Sequence, residues 1–273
     1  MIDRNPRMGV SIGVDSNRTK GLVAVAHPIL RRIPAVFFPV QDLKRATEWY
    51  SDLLGRPIVP REHDDGIYIF DMGGTEIILD SNIYGSPSVI MFAADDIEAA
   101  HAFCASRPEN EVTEIFSDEY ISLFHVNSRM VCKAHLVEPK VSGSGRLARM
   151  SHVIVHTDEP DRTVKWHEQL LNARSELYDP FGGLPSIAMD PGADLLFDDG
   201  RLSGSTAVVD PDSGTAVQAK PLAVLGAPDL SAIHTYLRGK NVPVSGIAEN
   251  WGSRYFTFVD PDGNGVIVRE AAG

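Results

Sequence analysis

The sequence predicts an α+β fold made of four copies of one βαβββ module. Four segments along the chain share a short apolar strand, an acidic residue and then a helix with apolar spacing. Strand-like runs bounded by turn residues follow the helices, and the interval between copies leaves room for three such strands. The acids that precede the four helices are Asp42, Asp96, Glu159 and Asp229.

The first copy shows most clearly why its helix forms. Asp42 is the predicted N-cap, because its carboxylate can accept hydrogen bonds from the free amides of the first turn. Gly55 is predicted to end the helix in a left-handed conformation, and Pro57 prevents its continuation. In the third copy Pro160 lies near the helix start, where a missing amide costs little. The predicted apolar face of the first helix comprises Leu43, Ala46, Tyr50, Leu53 and Leu54.

Strands are predicted from apolar runs that meet at tight turns. Residues 67–80 form two such runs around a Gly-Gly turn, and residues 254–270 form two around the turn at 260–264. In the second turn proline presets φ, while glycine or asparagine can adopt a positive φ. The flanking residues alternate between large apolar and smaller or polar types, as in a half-buried antiparallel sheet. The large apolar residues there are Phe256, Phe258, Val266 and Val268.

A chain of 273 residues has room for two domains, each with its own core. The stretch at 139–145, PKVSGSG, is short, polar and flexible, as expected of a linker. The N-terminal extension could add a hairpin through residues 10–14 and 22–26, or could cover the surface. The predicted divisions are an extension at 1–32, a first domain at 33–139, a linker at 140–149 and a second domain at 150–273. The predicted modules span 33–82, 86–139, 150–200 and 220–270.

Composition argues against several classes of partner. The chain has a formal net charge of −12 and no basic stripe, so nucleic-acid phosphates or an anionic membrane surface would repel it. Its apolar runs are too short to span a membrane, and we expect a cytoplasmic protein. A hydrophobic content of 43% is ordinary for a globular chain. Cys104 and Cys132 are expected to be reduced, packed thiols.

Two motifs resemble those of a known superfamily. Residues 40–55 follow the pattern V-x-D-L-x-x-A-x-x-W-Y-x-x-L-L-G, and residues 251–264 read W-G-S-R-Y-F-T-F-V-D-P-D-G-N. With the fourfold repeat, they resemble the vicinal oxygen chelate superfamily of glyoxalases, bleomycin-resistance proteins and extradiol dioxygenases. The resemblance covers about residues 33–270. It implies that paired modules curl into two cup-shaped mixed-sheet domains, and that a cup holds the ligand.

The resemblance also implies where metal ligands would lie, but this sequence departs from the pattern. The expected ligands are on the first strand, seven residues before the helix acid, and on the last strand of each module. A divalent metal needs about three His or carboxylate ligands, and most of these positions are apolar, which indicates a degenerate metal site. The first-strand positions hold Ala35, Val89, His152 and Leu222, and the last-strand positions hold Ile78, His135, Leu196 or Phe197, and Ile267.

The pairing of modules decides whether the two histidines meet. If modules one and two share a cup and modules three and four share another, each cup has one histidine. If modules two and three pair instead, His135 and His152 line the same cup. A carboxylate from Asp194 or Asp198 could then complete a set of two histidines and one acid. The sequence leaves both pairings open.

Candidate ligand-binding residues are aromatic or basic. Trp251 and Arg254 are expected at a cup rim, with an equal case for a tryptophan packed on a hairpin and an arginine paired with an acid. Tyr68, Phe92 and Phe124 lie in strands that could line a cavity, although aromatic strand residues are most often in the core.

Two functions from different classes follow. One is a cup that binds a small hydrophobic or aromatic molecule with no complete metal site and no cofactor, or that catalyses without a metal. The other is an enzyme, a lyase, isomerase or dioxygenase that uses iron, manganese, nickel or zinc with His135 and His152 as ligands. The apolar ligand positions favour the first. A small molecule is the expected partner, and the chain could be a monomer or a homodimer.

Overall fold

The computed structural model describes residues 27–60, 65–135, 147, 149–202, 207–209, 211, 213–217 and 219–271. These residues form the predicted α+β fold, with helices packed against two cupped, mixed sheets. The hairpin considered for residues 10–14 and 22–26, and most of the predicted linker at 140–149, lie outside them. No helix in the described ranges is long and apolar enough to span a bilayer.

The first sheet contains modules one and two. Its strand order is β2-β3-β1-β4-β7-β6-β5, and the two modules meet where β1 and β4 pair antiparallel. The strands are β1 (Ala35–Pro39), β2 (Ile67–Asp71), β3 (Glu76–Asp80), β4 (Val89–Ala93), β5 (Phe116–Ser117), β6 (Ile121–Val126) and β7 (Arg129–Ala134). The helices are α1 (Leu43–Leu54) and α2 (Ile97–Ala105).

The second sheet contains modules three and four, which meet where β8 and β14 pair antiparallel. Its order is β15-β16-β17-β14-β8-β11-β10-β9, and a short β12-β13 pair lies apart from it. The strands are β8 (Met150–His156), β9 (Glu176–Tyr178), β10 (Leu184–Ile187), β11 (Asp194–Asp198), β12 (Val208–Val209), β13 (Ala216–Val217), β14 (Pro221–Ala227), β15 (Ala248–Asn250), β16 (Ser253–Val259) and β17 (Gly265–Glu270). The helices are α3 (Pro160–Leu171), α4 (Leu230–Gly239) and a 3-10 turn, Asp179–Phe181.

The helix termini follow the capping chemistry predicted from the sequence. Asp42, Asp96 and Asp229 each accept a hydrogen bond from the amide three residues later, at 2.9 to 3.0 Å. Glu159 precedes α3 without a side-chain cap, and Pro160 begins that helix. Gly55 ends α1 with a φ of 66°, in the left-handed region that suits glycine.

Each sheet has a helix-facing side and a cup-facing side. Successive side chains of a strand point in opposite directions, so Val36 and Phe38 of β1 pack into the main core with the helices. Ala35 and Phe37 of the same strand point the other way, into a separate apolar cluster in the first cup. The side chains that could contact a ligand are therefore every second residue of each strand.

Buried polar contacts join module one to module four. Tyr50 of α1 is fully buried, and its hydroxyl donates to Asp260 Oδ2 at 2.7 Å. Asn264 Nδ2 donates to the carbonyl of Pro39 at 3.1 Å. Both module-four residues belong to the turn at 260–264, so this turn both closes a hairpin and holds α1 in place.

Replacing Tyr50 should weaken the contact between modules one and four. Tyr50→Phe keeps the ring but removes a donor to the buried Asp260, and we expect a loss of about 1–3 kcal/mol in the free energy of unfolding. Urea denaturation followed by circular dichroism measures it. Tyr84→Phe is the matched control, because Tyr84 is 53% exposed. Equal unfolding free energies for the two variants would contradict the role given to Tyr50.

His167 of α3 is a buried neutral residue at the contact of modules two and three. It is 1% exposed; Nδ1 donates to the carbonyl of Thr163 at 2.8 Å, and Nε2 accepts from Arg129 Nε at 3.5 Å. Burial first, and then the charge of Arg129, lower its pKa to about 3. In the third copy of the module His167 occupies the position that Tyr50 has in the first copy.

The lowered pKa of His167 makes stability depend on pH. Below a pH of 6.5 the unfolded chain protonates this histidine, while the folded chain does so only near 3. Stability is therefore complete above about 6.5 and falls as the pH decreases toward 3. His167→Gln should remove uptake of about one proton on unfolding near pH 4.5, measured from the pH dependence of the unfolding free energy. An unchanged slope would show that His167 is charged in the folded state.

Candidate functional site

The cup-facing side of the first sheet is mostly apolar, with Glu76 and Asp80 of β3 on the same side as Ile78. Because side chains alternate along each strand, this side collects residues from strands β1, β2, β3, β4, β6 and β7 and from the loop after β3. The floor is Ala35, Phe37, Ile78, Met91 and Cys132, and the partly exposed residues around it are Ile67, Ile69, Ile83, Val89, Ile121, Leu123 and Met130. An apolar concavity with few polar groups is typical of a small-molecule site.

Cys132 adds a thiol to this floor, and the surroundings make it unreactive. It is 4% exposed, and burial raises its pKa to about 12; Arg32 acts in the opposite direction and Glu76 in the same one. A thiol with such a pKa remains protonated at neutral pH and is a poor nucleophile or metal ligand. It contributes a soft, apolar contact surface.

The second cup is filled by the protein itself. Phe181 of the 3-10 turn is fully buried there, with its ring 5.7 Å from that of Tyr255, and Leu202 is buried beside it. The rest of this cluster comprises Ile154, Leu184, Leu196, Val224 and Ile267. The two cups therefore differ: the first has partly exposed apolar walls, and the second has a packed interior.

His152 is a buried polar residue of the second cup. It is 3% exposed, its Nδ1 lies 3.0 Å from Ser151 Oγ, and its ring centre lies 4.4 Å from that of Tyr178. Nε2 is buried without a hydrogen-bond partner among the residues that the structure describes. Burial, then Arg269 and Arg149, lower its pKa to about 3, so the ring is neutral at ordinary pH.

His156 and Asp198 form a second polar pair on the same sheet. They are register partners on β8 and β11, and Nδ1 lies 3.1 Å from Oδ2 of Asp198. His156 Nε2 lies 2.7 Å from the carbonyl of Pro221. Asp198 is fully buried. The reason is that β11 continues through Asp198.

The strand register corrects the assignment of one ligand position. Phe37 pairs with Ile78, Ile154 with Leu196, Val224 with Ile267 and Met91 with Met130. The last-strand position of module two is therefore Met130. His135 lies after β7, is exposed, and places Nε2 2.8 Å from Ser122 Oγ. Ser122 is buried on the side of β6 opposite the cup-facing Leu123, so His135 does not line a cup.

The residues present do not fit a divalent metal. The sheets pair module one with two and module three with four, so His135 and His152 lie in different sheets. Asp194 is the register partner of His152, but His156 and Asp198 bond each other farther along the strands. Nowhere in the described ranges do three His, Cys, Asp or Glu side chains form a group that could hold a metal ion.

The five candidate ligand-binding residues lie mostly away from the cup interiors. Phe92 and Phe124 are fully buried in the main core with the helices. Tyr68 packs against that core too, and its hydroxyl accepts from the amide of Val59 at 2.9 Å. The alternation of side chains along a strand explains the positions of all three residues, because the residues next to them on the same strands point into the cup. Arg254 pairs with Glu270 at 3.1 Å, in agreement with the alternative that this arginine is paired with an acid.

Trp251 lies at the rim of the second cup. It is 42% exposed, and its indole lies against Gly182, where a Cβ would be only 2.7 Å from Nε1. Sequence reasoning missed Tyr178, Phe181 and Arg269 at the same cup. Only Arg269 had a usable signal, because it is two residues from Ile267 and a strand places such residues on one face.

Solved structures match the chain in fold, whereas neither a protein-family model nor a curated protein matches its sequence. A catechol 2,3-dioxygenase is 13% identical, with a TM-score of 0.54 over 88% of this chain and 89% of that one. A Mn(II)-bound glyoxalase from Novosphingobium aromaticivorans is 14% identical, with a TM-score of 0.56 over 89% and 82%. A variant of homoprotocatechuate 2,3-dioxygenase from Brevibacterium fuscum is 15% identical, with a TM-score of 0.58 over 91% and 73%.

These structures are members of the vicinal oxygen chelate superfamily, and the chain has the fold of that superfamily. The motifs at residues 40–55 and 251–264 predicted it. At these identities the likeness is one of architecture, and fold alone does not carry function. The chemistry of this chain has to be argued from its own cups.

Both thiols should be inert in the folded chain. Burial raises the pKa of Cys104 to about 11 and that of Cys132 to about 12. Reaction with Ellman's reagent at pH 8 should therefore be slow until a denaturant exposes the two cysteines, after which both react. Fast reaction of the native protein would contradict the packed cup floor around Cys132.

Proposed function

We propose that the first cup binds a small hydrophobic or aromatic molecule without a metal ion. The observation that carries the proposal is the apolar surface of this cup, which combines a buried floor with partly exposed walls. Water in contact with such a surface is released when an apolar ligand enters, and the release favours binding. Exposed apolar surface on a folded chain commonly marks a binding site.

The composition of the floor favours an aromatic ligand. Met91 and Met130 are register partners on β4 and β7, and Cys132 lies two residues farther along β7. Thioether sulfur is polarisable and makes favourable contacts with aromatic rings, and the flexible methionine side chain adapts to ligand shape. Phe37 provides a ring on the same floor.

The second cup is a weaker candidate for an apolar ligand, because Phe181 already occupies its interior. A metal-dependent reaction is not proposed for either cup. The matching solved structures include dioxygenases and a Mn(II)-bound glyoxalase, but the register positions of this chain hold Ile78, Met130, Leu196 and Ile267. Those side chains supply no charged or nitrogen ligand.

Binding of N-phenyl-1-naphthylamine, an uncharged aromatic probe, tests the proposal. Its fluorescence should rise on mixing with the chain, and Leu123→Gln or Ile69→Gln should each weaken binding roughly tenfold by placing an amide in the apolar wall. Leu177→Gln is the matched control, because Leu177 is 72% exposed on the second sheet. Probe binding that the two cup variants leave unchanged would place the ligand elsewhere and contradict the proposal.

A further inference from the structure

Arg269 and Tyr178 form a contact at the second cup that the proposed function does not use. Arg269 lies on β17, and its Nη1 donates a hydrogen bond to the hydroxyl of Tyr178 on β9. The guanidinium carbon lies 5.7 Å from the centre of the Tyr178 ring and 5.8 Å from that of Phe181. The guanidinium is thus bonded to a phenol whose ring lies against His152, with ring centres 4.4 Å apart.

The phenol is a weak partner for this arginine. Burial is the main cause that raises the pKa of Tyr178, so its hydroxyl stays neutral at ordinary pH. A guanidinium bonds more strongly to a carboxylate, which carries charge and can accept two parallel hydrogen bonds. A carboxylate that reached Arg269 could therefore replace the phenol.

The charges around His152 favour an anion over a metal ion. Arg269 and Arg149 both contribute a positive potential at the imidazole. The acid nearest in register is Asp194, whose Oδ1 accepts from the amide of Met189 at 2.9 Å. Two guanidiniums against one carboxylate leave an excess of positive charge, which repels a divalent cation and attracts a carboxylate.

His152 can supply a second donor. Ser151 Oγ lies 3.0 Å from His152 Nδ1 and 3.3 Å from the carbonyl of Val224. The serine hydroxyl has one proton for these two acceptors, and Nδ1 is the nearer one; donation to Nδ1 places the proton of the neutral ring on Nε2. Nε2 is buried and has no hydrogen-bond partner in the described part of the chain. Its N–H is then a free donor on a ring that lies against Tyr178, with ring centres 4.4 Å apart.

We propose that the second cup contains a binding site for the carboxylate of a small organic acid, held by Arg269 and by Nε2 of His152. The phenol of Tyr178 occupies this site when no acid is bound. An incoming carboxylate takes the hydrogen bond from Arg269, and the Tyr178 ring moves off His152. The two donors of this site are the cationic guanidinium of Arg269 and the neutral imidazole N–H of His152.

Titration of the full-length chain with benzoate, followed by calorimetry, tests the site. Tyr178→Ala should raise the affinity for benzoate about tenfold or more, because the internal competitor is gone. Adding Arg269→Met to that variant should reverse the gain, and Arg269→Lys should give an intermediate affinity. Arg254→Met is the matched control. Arg254 lies on the neighbouring strand β16 and pairs with Glu270 rather than with Tyr178, so its removal should leave the affinity for benzoate unchanged.

Nuclear magnetic resonance of the imidazole nitrogens shows where the ligand binds. The signal of His152 Nε2 is the one that is lost in His152→Gln, and benzoate should shift this signal in the Tyr178→Ala chain. The proposal is overturned if Tyr178→Ala does not raise the affinity for benzoate. It is also overturned if Arg269→Met and Arg254→Met lower that affinity equally. Where Arg269→Met does not fold, as judged by circular dichroism, the result with Arg269→Lys decides.

A manganese titration separates the anion site from a metal site. One Mn²⁺ bound per chain and lost in His152→Gln would overturn the proposal, and absence of Mn²⁺ binding with benzoate bound supports it. The outcome is independent of the proposed function, because the naphthylamine probe reports on the first cup. The Tyr178 and Arg269 variants leave the lining of that cup unchanged.

Discussion

Alternation of side chains along the strands is the constraint on which both cups depend. One set of residues is committed to the core with the helices, and the other set alone decides what the cup can bind. On β4, Phe92 serves the core and Met91 serves the cup. A change of one residue in register would exchange these roles, so the chemistry of each cup is tied to the pairing of its strands.

The same architecture has produced two unlike cups in one chain. In the first, every strand except β5 contributes apolar residues, and several remain partly exposed. In the second, the segment between β9 and β10 folds inward, so that Phe181 fills the interior and Tyr178 covers His152. Equivalent modules therefore supply an apolar surface in one half and a packed, partly polar interior in the other.

The sequence predicted the parts of this structure that depend on local chemistry. Helix caps such as Asp42 and the turn at 260–264 involve neighbours within a few residues, and their residue types state their role directly. The face on which Phe124 lies depends on pairing between distant strands. The inward fold of Phe181 depends on the space left by the second sheet, and neither property is visible in a local pattern.

The filled second cup has a thermodynamic consequence. The apolar area around Phe181 is removed from water when the chain folds, so its contribution to stability needs no bound guest. The partly exposed walls of the first cup lose their remaining contact with water only when a guest molecule is present. By mass action, the stability of the folded chain therefore rises with the concentration of a guest in the first cup. The two related halves of one chain thus reach a filled interior in different ways: the second cup by its own side chains, and the first only when a guest is bound.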